Sequence, residues 1–282
     1  MINLLINFIK NSKIKRGKAF LIRCLSKIFI SLRSYSFHKI GYRNNLLLNL
    51  SDNAAIGLYL NDGFIPHESG VLRVFKHFES SKKIFWDIGT NYGFYPWIFL
   101  NENLYNYIYC FEPNSKVFDL LKKSFPITQK KVSLNNFGLG EVKDKRFFNY
   151  NPLESDLGSF KNNTSTHAQV KTMINIDTID NFREKFGKPD VIKLDVEGFE
   201  EYVIKGYKNL NIDYPIISIE WIQTFQENSF RDLLNYFDES WHYFHIGFNG
   251  LLYKDKNNFC GSDVLFISEK NDSYEKVHLI LA

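Results

Sequence analysis

A chain of 282 residues, 44% hydrophobic and 17% aromatic, carries enough apolar material for a full core, which excludes a largely disordered protein. Its net charge of +4 is divided unevenly. Residues 1–51 contain Lys10, Lys13, Lys15, Arg16, Lys18, Arg23, Lys27, Arg33, Lys39 and Arg43 with no Asp or Glu, so the acidic excess falls on the remainder. The three cysteines, Cys24, Cys110 and Cys260, form no CxxC pair; this argues against a zinc site or disulfide framework and points to a reducing compartment such as the cytoplasm.

Residues 1–50 read as one or two helices, with Leu5, Phe8 and Ile9, then Leu21, Leu25, Ile28, Phe29 and Leu32 at helical spacing. The apolar run from Ala19 to Leu32 is interrupted by Arg23 and Lys27 and falls short of the roughly 20 residues of a membrane span. The same interruptions argue against a secretory signal. The expectation is a basic, mainly helical extension over 1–80. Residues 1–50 would touch an acidic membrane at most peripherally, at its inner face. Asn49–Gly70 is turn-rich and reads as a connection or lid.

From Ile84 the texture changes to short apolar runs at Ile84–Ile88, Tyr107–Phe111, Val132–Phe137, Val191–Asp195 and Ile216–Glu220. Helical patterns at about 94–102, 114–124, 177–186, 199–207 and 226–238 separate them. This alternation predicts an α/β domain over 81–282 with a doubly wound, mostly parallel sheet. Residues 146–173, polar and rich in Ser, Asn and Thr, read as a long insertion with short extra strands of the kind that covers a site.

In such sheets ligands bind beyond the carboxyl ends of the strands, and four motifs fall there. Asp87-Ile-Gly-Thr-Asn-Tyr-Gly93 follows the first strand, with Gly89 suited to a tight turn under a ligand. Asp87 and Asn91 offer polar groups to an amino-acid moiety. The G-x-G-x-x-G dinucleotide fingerprint is not met, which argues against a nicotinamide oxidoreductase. Cys110-Phe-Glu-Pro-Asn114 places Glu112 25 residues after Asp87, where a carboxylate accepts both hydroxyls of a ribose. Lys193-Leu-Asp-Val-Glu-Gly-Phe-Glu200 sets Asp195 and Glu197 at a strand tip, and Ile216–Trp221 delivers Glu220 to the same edge.

Taken in order, these segments with Ile176-Asp-Thr-Ile179 resemble the FkbM family of S-adenosylmethionine (SAM)-dependent methyltransferases over about residues 84–268. The resemblance implies a seven-stranded Rossmann-like methyltransferase sheet with Asp263–Ile267 as its final antiparallel strand. It also implies SAM as cofactor and O-methylation of a sugar hydroxyl in a glycan, glycolipid or related metabolite. Asp87, Gly89, Asn91 and Gly93 would then line the methionine end and Glu112 the ribose. Asn136 and Phe137 would flank the adenine, and Asp195 and Glu197 would lie at the methyl-transfer edge. Thr90, and Phe137-Gly-Leu-Gly-Glu141 in place of the more usual Ala-Leu pattern, depart from the family.

A sugar hydroxyl needs a base, for which Asp195 comes first and Glu220 second, with His167, His242 and His245 as alternatives. Carboxylates near Asp195 are suited to Mg²⁺, but their spacing is not diagnostic of a metal. A non-catalytic cofactor-binding scaffold is the remaining reading. Nucleic acid is disfavoured as acceptor because the catalytic motif used on exocyclic amines is absent. Oligomeric state has no signature in the sequence.

Overall fold

The structure, a computed structural model, describes residues 2–14, 16–78, 83–126, 130–159, 170–254 and 262–282, with backbone alone at 156–159. Helices α1 (Ile2–Asn11) and α2 (Lys18–Ile28) open the chain, followed by a two-stranded pair, β1 (Tyr35–Phe37) and β2 (Leu46–Leu48). Next come α3 (Asn53–Leu60) and α4 (Ser69–His77). Residues 49–70 are therefore more than a connection. Asp52 caps α3 by accepting the Ala54 N–H at 3.1 Å, which starts a helix amid turn-forming residues.

The alternating section runs β3 (Ile84–Ile88), α5 (Phe94–Glu102), β4 (Tyr107–Phe111), α6 (Ser115–Ser124) and β5 (Val132–Asn135). A second sheet follows, built from β6 (Gly138–Leu139), β7 (Asp144–Asn151), β8 (Glu154–Ser159) and β9 (Val170–Asp177). Then come α7 (Ile179–Phe186), β10 (Val191–Leu194), α8 (Glu200–Lys205), α9 (Leu210–Asp213) and β11 (Ile216–Glu220). After these come α10 (Phe230–Leu234), β12 (Trp241–Ile246), β13 (Leu252–Tyr253), β14 (Asp263–Ser268) and a 3-10 turn of helix at Tyr274–Leu279. The helix expected over 226–238 is thus reduced to five residues.

The central sheet has the order β13-β12-β14-β11-β10-β3-β4-β5. Strands β11 to β5 in that order are parallel, and β14 pairs antiparallel with β11. This is the expected seven-stranded arrangement with a two-residue edge strand, β13, added. The parallel strands are apolar on both sides because alternate residues enter two different clusters. Phe85, Val191 and Ile216 join the cluster formed with α1 to α6, whereas Trp86, Ile192 and Ile217 join the one formed with α7, α8 and the second sheet. The N-terminal segment shares the first cluster: Ile6, Ile22 and Leu48 pack in the same core as Trp97 and Phe99.

The insertion forms longer strands than its polar composition suggested. β7 and β9 pair antiparallel over Asp144–Tyr150 and Val170–Ile176, with Phe148, Tyr150, Ile174 and Ile176 turned inward.

Candidate active site

The chain order reverses between β3 and β10, which are adjacent, and a cleft opens beyond their carboxyl ends. There Gly89 adopts φ +87°, and a Cβ on it would stand 1.7 Å from the Asp195 carbonyl oxygen. Only glycine lets the turn after β3 pass this close to the end of β10. The Gly89 and Thr90 N–H groups donate to the Phe111 carbonyl at 3.0 and 3.1 Å, and the Asp195 N–H donates to the Ile88 carbonyl at 3.0 Å. Three strand tips are thereby fixed together.

One cleft faces the second sheet. It is lined by Gly89, Asn91, Glu112, Phe137, Asp195 and Glu197, with Ile88, Phe111, Leu139 and Phe148 as an apolar wall. Glu112 is held through both oxygens: Oε2 accepts the Asn91 N–H at 2.9 Å and Oε1 the Asn114 N–H at 2.8 Å. Burial pushes its carboxyl up to about 7, against the lowering effect of those two bonds. Each oxygen retains a second acceptor site, so the carboxylate can still take a pair of hydroxyls. From the insertion, the Ser155 hydroxyl donates to Asn91 Oδ1 at 3.0 Å, and Phe148 closes the wall.

The second cleft lies on the opposite side of the same junction, toward α3 and α4. It shares Gly89, Asn91, Asp195 and Glu197 with the first, and adds Asp87, Lys193 and Glu220 from the sheet and Asn53, Asn61, His67 and Glu68 from the N-terminal segment. Phe64, Tyr92, Tyr95 and Phe225 supply aromatic walls.

Strand alternation explains its floor. Asp87, Lys193 and Ser218 occupy the same face as Phe85, Val191 and Ile216, and stand in register across three parallel strands. Lys193, only 1% exposed, donates to Asp263 Oδ1 at 3.1 Å and Asp195 Oδ2 at 3.4 Å. Burial opposes its charge, but Asp195, Asp263, Glu68 and Glu220 outweigh that and raise its pKa well above the usual lysine value. Asp263 is pushed up to about 7 by burial, with Lys193 pulling the other way.

Glu220 is raised to about 9, first by the negative charge of Asp195 and then by burial, with Lys193 opposing both. Asp87 is raised to about 8 by burial. Its Oδ2 is buried and has no hydrogen-bond partner among the described residues.

The structure brings together Asp87, Gly89, Asn91, Glu112, Phe137, Asp195, Glu197 and Glu220 around these two clefts. Gly93 and Asn136 line neither. Gly93 (φ +82°) makes room for Phe125 and Leu121 of the α6 region, where a Cβ would meet them at 2.7 and 2.9 Å. Asn136 supports the site from behind, its side-chain N–H donating to the Glu112 and Pro113 carbonyls at 2.7 and 3.1 Å.

Of the histidines, His242 pairs with Glu269 at the surface and neither it nor His245 lines a cleft, while His167 lies outside the described residues, as does Cys260. His67 is the histidine that lines the second cleft. Sequence reading passed over Glu68, which accepts a hydrogen bond from the Tyr95 hydroxyl, and Asp263. The one available signal was Lys193 itself, a charged residue inside an otherwise apolar strand.

Asp195, Glu197 and Glu220 each offer an oxygen within 4.8 Å of the others, which is a spacing a divalent cation can use. The fit to SAM is better supported. The unpartnered Oδ2 of Asp87, which lines the second cleft beside the shared Gly89, suits the methionine ammonium, and in the first cleft Glu112 suits the ribose diol and the wall of Phe111, Phe137 and Leu139 the adenine.

Residues 87–244 match the family model of the methyltransferase FkbM domain. The hexuronic acid methyltransferase AglP of Haloferax volcanii is 27% identical over 154 residues, spanning 54% of this chain and 62% of that protein. Among solved structures, the METTL16 methyltransferase domain superposes with TM-score 0.46 at 13% identity, covering 90% of this chain and 81% of its own. TrmK of M. capricolum in complex with S-adenosyl-homocysteine superposes with TM-score 0.35 at 13% identity, covering 72% and 68%.

Proposed function

The chain belongs to the FkbM methyltransferase family, and we propose that it transfers the methyl group of SAM to a sugar hydroxyl of a glycan, glycolipid or related metabolite. The observation that carries this reading is the meeting of the two clefts over Gly89, Asn91, Asp195 and Glu197. One has the fittings for an adenosine. The other combines aromatic walls with Asn53, Asn61, His67 and several carboxylates, a mixture suited to the apolar faces and hydroxyls of a sugar ring.

When bound, SAM supplies an electrophilic methyl on a positively charged sulfur, which leaves as a neutral thioether as the acceptor oxygen bonds to the carbon. The residues of the chain align the partners, because a fixed near-attack geometry replaces a bimolecular encounter. They also take up the hydroxyl proton. Asp195 stands at the junction, and Glu220 hydrogen-bonds with it. With its pKa raised to about 9, Glu220 holds a proton at neutral pH and leaves Asp195 to accept the one from the hydroxyl.

The sugar chemistry of AglP makes a glycosyl acceptor reasonable, but the acceptor cleft here is acidic. Its lining includes Glu68, Asp195 and Glu197, together with Asp87 and Glu220, whose raised pKa values keep them protonated at neutral pH, while its lysine, Lys193, is buried and paired. A carboxylate on the acceptor would find no arginine among the lining residues. A neutral or amino-bearing sugar fits this charge better than a uronic acid.

The test is incubation of the protein with methyl-labelled SAM and a panel of neutral, amino and acidic glycosides. Label in any glycoside supports the proposal. Binding of SAM with no label in any sugar, but label in a non-sugar hydroxyl or a nucleic acid, would overturn it.

A further inference from the structure

We infer that α1, α2 and the residues following them form a docking face for an anionic lipid surface, next to the acceptor cleft. Buried and exposed apolar side chains on these helices separate by face. On α1, Ile6 and Ile9 enter the core while Leu4, Leu5 and Phe8 stay in solvent, Phe8 at 71% exposure. On α2, Ile22 is buried with Ser26, while Phe20 and Leu21 are exposed with Lys27 and Ile28 one heptad further on. Ile30 (74%) and Ile40 (95%) continue the exposed apolar set beyond α2.

Water is a poor environment for so many large apolar side chains within one short segment. The charge identifies what covers them. Lys13, Arg16, Lys27, Arg33 and Arg43 are exposed among these residues, and no acidic residue occurs before Asp52. Apolar side chains set among cations of one sign suit a bilayer interface whose head groups are anionic. A second copy of the chain would have to bring the same positive charge against itself. No helix among the described residues is long and apolar enough to cross a membrane, and the docking inferred here is through the exposed faces of α1 and α2.

The face is coupled to the site through α3. Arg23 of α2 donates to Asn53 Oδ1, and Lys10 of α1 pairs with Asp62 just beyond α3. Asn53 itself, with Gly57, Leu58 and Asn61, lines the acceptor cleft. A surface holding α1 and α2 therefore holds one wall of the acceptor cleft near the head groups, which makes a lipid-linked acceptor accessible to it. Lipid docking stands independently of which hydroxyl is methylated.

Full-length protein is sedimented with phosphatidylcholine vesicles, with and without phosphatidylglycerol, at roughly 0.1 M salt. Partition onto the anionic vesicles about tenfold stronger than onto neutral ones is expected. The combined change Phe8→Gln, Phe20→Gln and Ile28→Gln should weaken it about tenfold at unchanged melting temperature, as should Lys13→Gln, Arg16→Gln and Lys27→Gln. Equal partition onto both vesicles, or no partition, overturns the inference. So does a dimer in sedimentation velocity that the first triple change dissolves, which assigns the face to a second copy. RNA binding abolished by the second triple change, without lipid binding, overturns it as well.

Discussion

The Lys193 ammonium donates to Asp263 Oδ1 at 3.1 Å at the second cleft, although β11 lies between their strands. Both side chains are buried, and Asp195, Glu68 and Glu220 share the field of the same cation.

Lys193→Met removes the one cation of this group and leaves its carboxylates facing each other. A loss of about 3–5 kcal/mol is expected at pH 8, the usual cost of breaking a buried pair from one side. Near pH 5 the loss should be smaller, because Asp263, with its pKa raised to about 7, is then neutral, whereas Glu220, raised to about 9, is protonated at both pH values. Urea unfolding at the two pH values checks this; equal losses would show that Lys193 acts through packing alone.

Asp87 should couple cofactor binding to pH. Its carboxyl is raised to about 8 by burial, and a methionine ammonium beside Oδ2 favours the ionised form. Binding therefore releases a proton below pH 8, and affinity rises with pH up to the pKa of the free protein. Calorimetry with S-adenosylhomocysteine in buffers of different ionisation enthalpy should detect the release near pH 7. Asp87→Asn should abolish it and weaken binding.

Asp195 and Glu220 are expected to separate kinetically. Asp195→Asn should lower kcat by about 10²–10⁴-fold, the range for loss of a general base, while SAM affinity changes only a few-fold. Glu220→Gln should cost less, since it preserves the hydrogen-bonding shape of a group already protonated at neutral pH. Single-turnover methyl transfer with separately measured SAM binding distinguishes the two. A larger loss at Glu220 would exchange their roles.

The charge of the acceptor cleft makes a further prediction. Of two matched glycosides, the neutral one should be methylated at least about tenfold more efficiently than its uronide, by kcat/KM. Glu68→Gln should narrow the gap. Equal or better use of the uronide would mean that cations outside the lining residues govern recognition.

The five parallel strands are legible in the sequence because strands covered on both faces are near-continuous apolar runs, broken in Ile84–Ile88 and Val191–Leu194 by Asp87 and Lys193 alone. The turn at Gly89 and the place of Glu112 follow from the motif order. Helix α3 is hidden: Asn53–Leu60 is apolar nearly all round and follows a cluster of turn formers, so neither periodicity nor punctuation marks it. β7 is masked by the polar Asp144–Arg146 at its start and by exposed positions before Phe148. The cation-centred cluster is the least legible. Glu68, Lys193, Glu220 and Asp263 are distant along the chain; the sheet order brings the last three together, and Glu68 joins them from the start of α4, outside the sheet.

A crystal structure of the protein with S-adenosylhomocysteine tests the two-cleft arrangement most directly. The expected result is a ribose on Glu112, an adenine beside Phe137 and Leu139, and a thioether sulfur at the junction of Gly89 and Asp195, open toward Glu220. A nucleoside bound elsewhere, or a sulfur shut off from the Glu220 side, would contradict it.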